Sequence, residues 1–169
     1  SAGQRCSALR LLCLHERIAD TVIAMLQGAL AELRLGAAGD VATDVGPVID
    51  AEAHAHLSRA VTRLEASARL LGRTPMDARW AATHIAPVAF EIGAVEDLQQ
   101  EVFGPVLHVL RWGGDVAALV ARINRLGYGL TLGVQTRIDS RALQIAAQAR
   151  VGNVYVNRNM VGAVVGVQP

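Results

Sequence analysis

One residue near the start of the chain has the chemistry of a nucleophile. Cys6 lies in Gly3–Ala8, a segment of small and polar residues that spells Gly-Gln-Arg-Cys-Ser-Ala. The thiolate of a cysteine attacks electrophilic carbon, and small neighbours with a following turn or helix expose it. By itself, a cysteine beside an alanine is more often an inert small apolar residue. Cys13 lies within an apolar run, and we interpret it as structural.

The second segment of interest, Glu101–Pro105, spells Glu-Val-Phe-Gly-Pro. By itself it is a turn that enters a strand, with Gly104 and Pro105 setting the backbone geometry. In combination, Gly-Gln-x-Cys and Glu-Val-Phe-Gly-Pro resemble the nucleophile and cofactor-ribose segments of the aldehyde dehydrogenase family. The resemblance implies that Glu101 accepts hydrogen bonds from the nicotinamide-ribose hydroxyls of NAD and that Phe103 packs near the nicotinamide. A carboxylate suits a vicinal diol, and an aromatic ring suits a flat heterocycle.

The last part of the chain resembles one branch of that family. Gly152–Asn157 and Gly162–Pro169 are similar to the substrate-anchor region of pyrroline-5-carboxylate dehydrogenases, especially those of the bifunctional proline-utilisation enzymes. The resemblance implies that Ser7, Gly162 and Ala163 hold the α-carboxylate of the substrate, since adjacent backbone N–H groups can cradle an anion. FAD belongs to the proline dehydrogenase half of such enzymes and is not expected in this chain. Seen alone, the segment is typical of a strand and turn rich in Gly and Val.

The resemblance implies the NAD-dependent oxidation of L-glutamate γ-semialdehyde to L-glutamate, with Cys6 carrying a thiohemiacetal and then a thioester. The family's general-base glutamate, its oxyanion-hole asparagine and its nucleotide-binding domain lie upstream of the nucleophile. We therefore expect residues 1–169 to be part of a catalytic domain, without the NAD-binding domain or the C-terminal oligomerisation segment. We expect the isolated chain to be inactive and its parent to be a cytoplasmic homo-oligomer acting on a small aldehyde.

Two alternatives stay open at this point. One keeps the chemistry and changes the aldehyde, for example to succinate semialdehyde. The other is a non-catalytic α/β remnant that serves only as a packing or interaction unit. The α-amino acid group of the substrate distinguishes glutamate semialdehyde from the first alternative. A carboxylate anchor at Ser7, Gly162 and Ala163 would favour a substrate that carries this group.

The apolar periodicity predicts alternating helices and strands. A helix is predicted over Glu16–Arg34 and stopped by Gly36, and others are predicted after the caps Asp50 and Asp115 and over Ser140–Arg150. Strands are predicted at Leu9–Leu14, Leu70-Leu71, Ile85–Ile92, Pro105–Trp112, Leu130–Gln135 and Asn153–Asn157. This alternation predicts an α/β fold with three αβα layers around a mostly parallel open sheet.

Composition excludes several classes of protein. The chain has 169 residues, of which 52% are hydrophobic, and its formal net charge is +1, which gives no reason to expect nucleic acid or a membrane surface as a partner. Two cysteines make no disulfide framework, which fits a reducing compartment. His54 and His56 are two apart on a predicted helix and face different sides, so no metal site is predicted.

Overall fold

The computed structural model describes residues 2–127 and 129–160 and has the α/β architecture that the sequence predicts. Four α-helices and six β-strands make up its regular structure, with short 3₁₀ turns at Ala78–Trp80 and Val95–Asp97. The helices are α1 (Glu16–Glu32), α2 (Ala51–Ser67), α3 (Val116–Asn124) and α4 (Asp139–Gln148). The strands are β1 (Leu11–His15), β2 (Arg69–Arg73), β3 (Val88–Ile92), β4 (Val106–Trp112), β5 (Thr131–Val134) and β6 (Asn153–Val156).

Most of the strand pairing is parallel. The larger sheet has the order β1-β4-β3-β2, in which β1, β4 and β3 run parallel and β2 pairs antiparallel with β3. Among the described residues, β5 and β6 form a separate two-stranded parallel sheet. The prediction of a mostly parallel α/β sheet is confirmed, and the strands divide between two sheets.

Helices cover both faces of the larger sheet. Alternate residues of a strand point to opposite faces: in β3, Ala89 lies in the apolar cluster that includes α1, whereas Val88 and Phe90 lie in the cluster that includes α2. Ile92 shares their face and packs with Leu119 of α3. The sheet is therefore buried on both sides, and the predicted three layers are present in this part of the chain.

Three of the helices begin at a side-chain cap. The carboxylate of Asp50 accepts a hydrogen bond from the backbone N–H of Ala53, and that of Asp115 accepts one from Ala117. His15 caps α1 through its Nδ1, which accepts from the N–H of Arg17. The two aspartates are the caps that the sequence predicts, because a short acidic side chain can satisfy an otherwise unpaired N–H of the first turn.

The end of α1 differs from the prediction. The helix stops at Glu32, four residues before Gly36, and Leu33 is already extended with φ −64° and ψ 138°. Tertiary hydrogen bonds end it: the N–H of Arg34 donates to Asp44 Oδ2, and the carbonyl of Arg34 accepts from the N–H groups of Asp44 and Val45. Gly36 is instead buried against Thr43, where a side chain would collide with the threonine hydroxyl.

In residues 2–127 and 129–160, none of the helices combines the length and the apolar character needed to cross a membrane.

Candidate active site

The pairing of β1 with β4 brings the two motif segments together. The strands are adjacent and parallel, with Leu11 opposite His108. Residues 3–10 lead into β1 and residues 101–105 lead into β4. Because both segments precede parallel neighbours, they meet at the same edge of the sheet, at the amino ends of the strands.

Backbone atoms of two glycines make the closest approach between the segments. Gly3 has φ +68°, a left-handed conformation that favours glycine, and a Cβ built on it would overlap the carbonyl of Gly104. Gly104 in turn lies against α2, where a Cβ would come within 2.6 Å of Leu57 Cδ1. Gly3 and Gly104 therefore each occupy a position where the neighbouring residue leaves no space for a side chain.

Gln4 anchors the first segment on its other side. Its Oε1 accepts a hydrogen bond from the N–H of Ile49 at 2.8 Å, and its Nε2 donates to the carbonyl of Pro47 at 3.4 Å. Both partners lie just before α2. The amide side chain, with one donor and one acceptor end, thus fixes the loop against the entry to that helix.

Arg10 contacts the second segment with its guanidinium group. Its Nε donates to Glu101 Oε1 at 2.8 Å, and its Nη1 donates to the carbonyl of Val102 at 2.7 Å. The same group lies over the ring of Phe103, with its central carbon 4.6 Å from the ring centroid, a cation–π distance. Arg10 thereby holds both side chains that the sequence assigns to cofactor binding.

Arg10 also contacts the segment that carries the cysteine. Its Nη1 donates to the carbonyl of Gly3 at 3.2 Å and its Nη2 donates to the carbonyl of Arg5 at 3.0 Å. The carbonyl of Arg5 also closes a turn by accepting from the N–H of Ala8 at 3.0 Å, and Cys6 lies inside this turn. One side chain therefore reaches both the nucleophile loop and the cofactor segment.

The two cysteines have opposite environments. Cys6 is exposed, whereas Cys13 lies on the covered face of β1. Burial raises the pKa of the Cys13 thiol to about 12, against a smaller opposing effect from the charge of Arg122. A thiol that stays protonated is a poor nucleophile, so we expect Cys13 to react slowly, and Cys6 is the exposed thiol of the described residues.

The three residues assigned to substrate binding are only partly described. Ser7, next to Cys6 in the turn, is 4% exposed, so its side chain is enclosed by the chain. Gly162 and Ala163 lie outside the described residues. Their role as a carboxylate anchor stays a prediction.

The two residues that the sequence assigns to cofactor binding are exposed enough to contact a ligand. The side chain of Glu101 is 47% exposed although Arg10 holds one of its oxygens, and Phe103 is 44% exposed. Beside Phe103 and Gln4 a cavity of about 330 Å³ opens, with Ile49 and His56 among its lining residues. An acceptor carboxylate, an open aromatic face and a neighbouring cavity fit the ribose and ring of a nicotinamide cofactor.

Other features do not belong to this site. A larger cavity of about 570 Å³ lies between α2 and β4, is lined by Leu64, Asp97 and His108, and does not include Cys6. Burial lowers the pKa of His108, and its Nδ1 lies 3.2 Å from the carbonyl of Arg10. Over the described part of the chain there is no cluster of three or more His, Cys, Asp or Glu residues that could hold a metal ion.

Sequence analysis missed Arg10 and the anchoring by Gln4. A signal for Arg10 was present, since a charged residue stands directly before an apolar strand and an acidic residue stands before the other strand of the pair. Opposite charges at the entries of two strands point to an ion pair only if those strands are neighbours. Sequence periodicity does not identify neighbours, so the signal could not be used.

Comparison with known proteins agrees with the geometry. The sequence model described as "Aldehyde dehydrogenase family" matches residues 1–169. The chain is 52% identical to the bifunctional protein PutA of Escherichia coli over all of its own length and 13% of that protein. It is 30% identical to the 1-pyrroline-5-carboxylate dehydrogenase of Geobacillus kaustophilus, over 99% of the chain and 33% of that enzyme.

Solved structures give the same result. A crystallised variant of proline utilization A (PutA) from Bradyrhizobium japonicum matches with a TM-score of 0.94 and 50% identity, over 100% of this chain and 17% of that one. The chain thus spans only a small part of these relatives. With the family model matching every residue and both motifs assembled at one sheet edge, the chain belongs to the aldehyde dehydrogenase family.

Proposed function

We propose that this chain supplies the nucleophile and part of the cofactor site of an NAD-dependent dehydrogenase that oxidises L-glutamate γ-semialdehyde to L-glutamate in proline breakdown. One observation carries the proposal. The exposed thiol of Cys6 and the exposed pair Glu101 and Phe103 lie at one sheet edge, and a single side chain, Arg10, contacts both segments.

The chemistry at Cys6 follows from its exposure. The thiolate attacks the aldehyde carbon, and a carbon–sulfur bond forms while the carbonyl π electrons move to oxygen, giving a thiohemiacetal. The N–H of Cys6 is one donor for the developing oxyanion. When bound, NAD⁺ supplies the two-electron oxidant. With that oxidant accepting the aldehyde hydrogen as hydride and a proton lost from the oxygen, the thiohemiacetal would become a thioester on Cys6. Water would then cleave the thioester, which releases the carboxylate product and regenerates the thiol.

The cofactor assignment rests on Glu101 and Phe103. Glu101 accepts hydrogen bonds from the ribose diol, and Phe103 packs beside the nicotinamide. Arg10 engages only Oε1 of the carboxylate in the ion pair, so the group can still accept from a second partner. Arg10 would thus hold one oxygen of the carboxylate while the ribose hydroxyls of a bound cofactor would donate to the group as well.

The choice of substrate is supported by the relatives that the chain matches. These relatives include the bifunctional protein PutA and a 1-pyrroline-5-carboxylate dehydrogenase. In our proposal Ser7, Gly162 and Ala163 hold the α-carboxylate of glutamate semialdehyde. A site built to bind a polar group strongly rejects analogues that lack it, because its buried donors are then unpaired.

The proposal extends to the longer enzyme that would contain these residues. We infer that residues 1–169 are part of the catalytic domain of a PutA-like bifunctional enzyme, in which another region binds the nucleotide and FAD serves only the proline dehydrogenase half. The general base, a glutamate, and the second oxyanion donor, an asparagine, come from outside this chain. We place the enzyme in the cytoplasm, where a reducing environment keeps Cys6 a free thiol, and expect it to be a homo-oligomer.

Steady-state kinetics of the full-length protein test this proposal. With NAD⁺ saturating, we expect a much higher kcat/KM for glutamate semialdehyde than for propanal, and no NADH formation in Cys6→Ala. Ala163→Val should raise KM for glutamate semialdehyde much more than for propanal, because a β-branched side chain obstructs the carboxylate site.

Each outcome has one meaning. Equal kcat/KM values for the two aldehydes in the wild type would refute the glutamate semialdehyde assignment and leave an aldehyde dehydrogenase of other range. A preference for succinate semialdehyde over both would identify that alternative. NADH formation that persists in Cys6→Ala would refute the role of the thiol.

A further inference from the structure

We propose that Arg10 is a positioning residue that sets the place of the cofactor relative to the nucleophile, by holding Glu101 and Phe103 and the loop of Cys6 in one frame. The inference rests on the proposed function, since it concerns the same site. It assigns to Arg10 no contact with substrate or cofactor. The guanidinium group of Arg10 fixes the separation between the nucleophile Cys6 and the bound cofactor.

The contacts of Arg10 are unusual in what they join. Its side chain is only 14% exposed, and its donors reach one carboxylate and three backbone carbonyls. Two of these carbonyls, those of Gly3 and Arg5, belong to the nucleophile loop, and the third belongs to Val102, next to Glu101. The residues joined through Arg10 are as far as 92 residues from it in sequence.

The backbone of Arg10 is itself fixed. Its carbonyl accepts a hydrogen bond from the N–H of His108 in β4 at 2.9 Å. The side chain therefore projects from a point held by the same strand that Glu101–Pro105 leads into. A rigid planar group with five donors on an anchored backbone can define distances that a flexible ammonium cannot.

An ion pair elsewhere in the chain provides the comparison. Arg122 donates to both oxygens of Glu96, at 3.1 and 2.6 Å, and joins α3 to the 3₁₀ turn at Val95–Asp97. That pair bridges two surface elements, and its hydrogen bonds do not reach either motif segment. It has the same charges as Arg10 and Glu101, with none of the contacts to the nucleophile loop.

The physical consequence concerns position. In the Arg10→Lys variant a single ammonium group replaces the planar guanidinium group. The ammonium can keep either the ion pair with Glu101 or the hydrogen bonds to the backbone carbonyls, because no single position of it reaches all of these partners. The Glu101 carboxylate and the loop of Cys6 would then lose their shared side-chain anchor, although the backbone contact between Gly3 and Gly104 remains. A displacement of about 1 Å at a reacting group can cost about 10²-fold in rate.

The experiment uses the full-length protein that contains this chain, with the variants Arg10→Lys, Arg10→Met and the control Arg122→Lys. The dissociation constant of NAD⁺ is measured by calorimetry, and the alkylation rate of Cys6 by iodoacetamide is measured with and without NAD⁺. We expect Arg10→Lys to weaken NAD⁺ binding about tenfold, to change the alkylation rate of Cys6, and to lower kcat while KM for the aldehyde changes least. Arg122→Lys should match the wild type in each measurement.

A double-mutant cycle separates the two halves of the claim. In a Glu101→Gln background, Arg10→Lys should weaken NAD⁺ binding less than it does in the wild type, since the carboxylate that Arg10 positions is gone and its contact with Phe103 remains. Its effect on Cys6 alkylation should persist, because the contacts to the carbonyls of Gly3 and Arg5 do not involve Glu101. Should Arg10→Met fail to fold, Arg10→Lys and the cycle decide the matter.

The inference would be overturned if Arg10→Lys bound NAD⁺ with the affinity of the wild type and its Cys6 were alkylated at the rate of the wild type. Additive effects in the cycle would overturn the link through Glu101. Turnover of glutamate semialdehyde by the wild type tests the proposed function separately, because calorimetry and alkylation need no turnover. A wild-type protein that binds NAD⁺ and oxidises a different aldehyde would refute the proposed substrate and leave the role of Arg10 to the binding data.

Discussion

The α-carbon of Gly3 lies against the carbonyl of Gly104, so the loop of Cys6 and the turn into β4 are in direct backbone contact. The two residues belong to the motifs of Cys6 and Glu101. A side chain at Gly3 would overlap the carbonyl of Gly104, whereas one at Gly104 would collide with Leu57 of α2. The glycine of Gly-Gln-x-Cys is therefore a packing requirement of the site.

Gly3→Ala should impair the enzyme, because the left-handed φ of +68° and the overlap with Gly104 would each force the loop to shift. We expect kcat/KM of the full-length protein to fall about 10²-fold. Gly28→Ala is the matched control: Gly28 lies in α1, and a Cβ there has nothing within 4 Å. Equal activity of the two variants would contradict the contact.

Cys6 should react with iodoacetamide far faster than Cys13. Cys6 is exposed, and the rise in the pKa of Cys13 from 9.0 to about 12 lowers its thiolate fraction by about a thousandfold at about pH 8. Peptide mass mapping after partial alkylation of the folded chain measures both rates. Preferential labelling of Cys13 would show that β1 is not buried as described.

Stability should fall as the pH drops through about 6.5 because of His108. Burial lowers the pKa of this histidine below 6.5 in the folded chain, against the opposing effect of its hydrogen bond with the Arg10 carbonyl and with a smaller contribution from the charge of Arg10, so the unfolded chain binds the proton first. The stabilisation is thus present above about pH 6.5 and declines below it. Urea unfolding of the 169-residue chain at about pH 7.5 and about pH 5.5 should show a smaller loss in His108→Gln than in the wild type. His56→Gln, at an exposed position on α2, should lose as much stability as the wild type.

The isolated 169-residue chain should self-associate. Several large apolar side chains are strongly exposed, among them Ile49 at 83%, Leu143 at 71% and Met25 at 70%. Exposed apolar surface favours association, and open strand edges add pairing sites. Light scattering across a concentration series measures this, and a monodisperse monomer at high concentration would contradict it.

The isolated chain should also show no aldehyde oxidation. Our proposal places the general base and one oxyanion donor outside residues 1–169, and loss of a single oxyanion donor costs about 10²–10³ in rate. The assay is NADH formation with glutamate semialdehyde, compared with a protein-free blank. Formation above the blank that disappears in Cys6→Ala would show that these residues suffice for catalysis.

Local sequence determined most of the secondary structure. The caps Asp50 and Asp115 begin helices where predicted, since capping depends on residues within one turn. The nearly continuous apolar run Pro105–Trp112 gave β4, the longest strand of the described residues, because a strand covered on both faces is mostly apolar. The motifs around Cys6 and Glu101 indicated the family, which the comparison confirms.

Only the tertiary structure decided how these elements meet. Contacts between residues distant in sequence determine three features of the fold. These are the strand order that makes β4 a neighbour of β1, the antiparallel pairing of β2, and the end of α1 at Glu32. The site also lies at the amino ends of the strands, whereas the general rule for open α/β sheets places ligands at the carboxyl ends. Arg10 has its role for the same reason: its partners are chosen by strand pairing, and apolar periodicity records which face of a strand is buried but not which strand lies beside it.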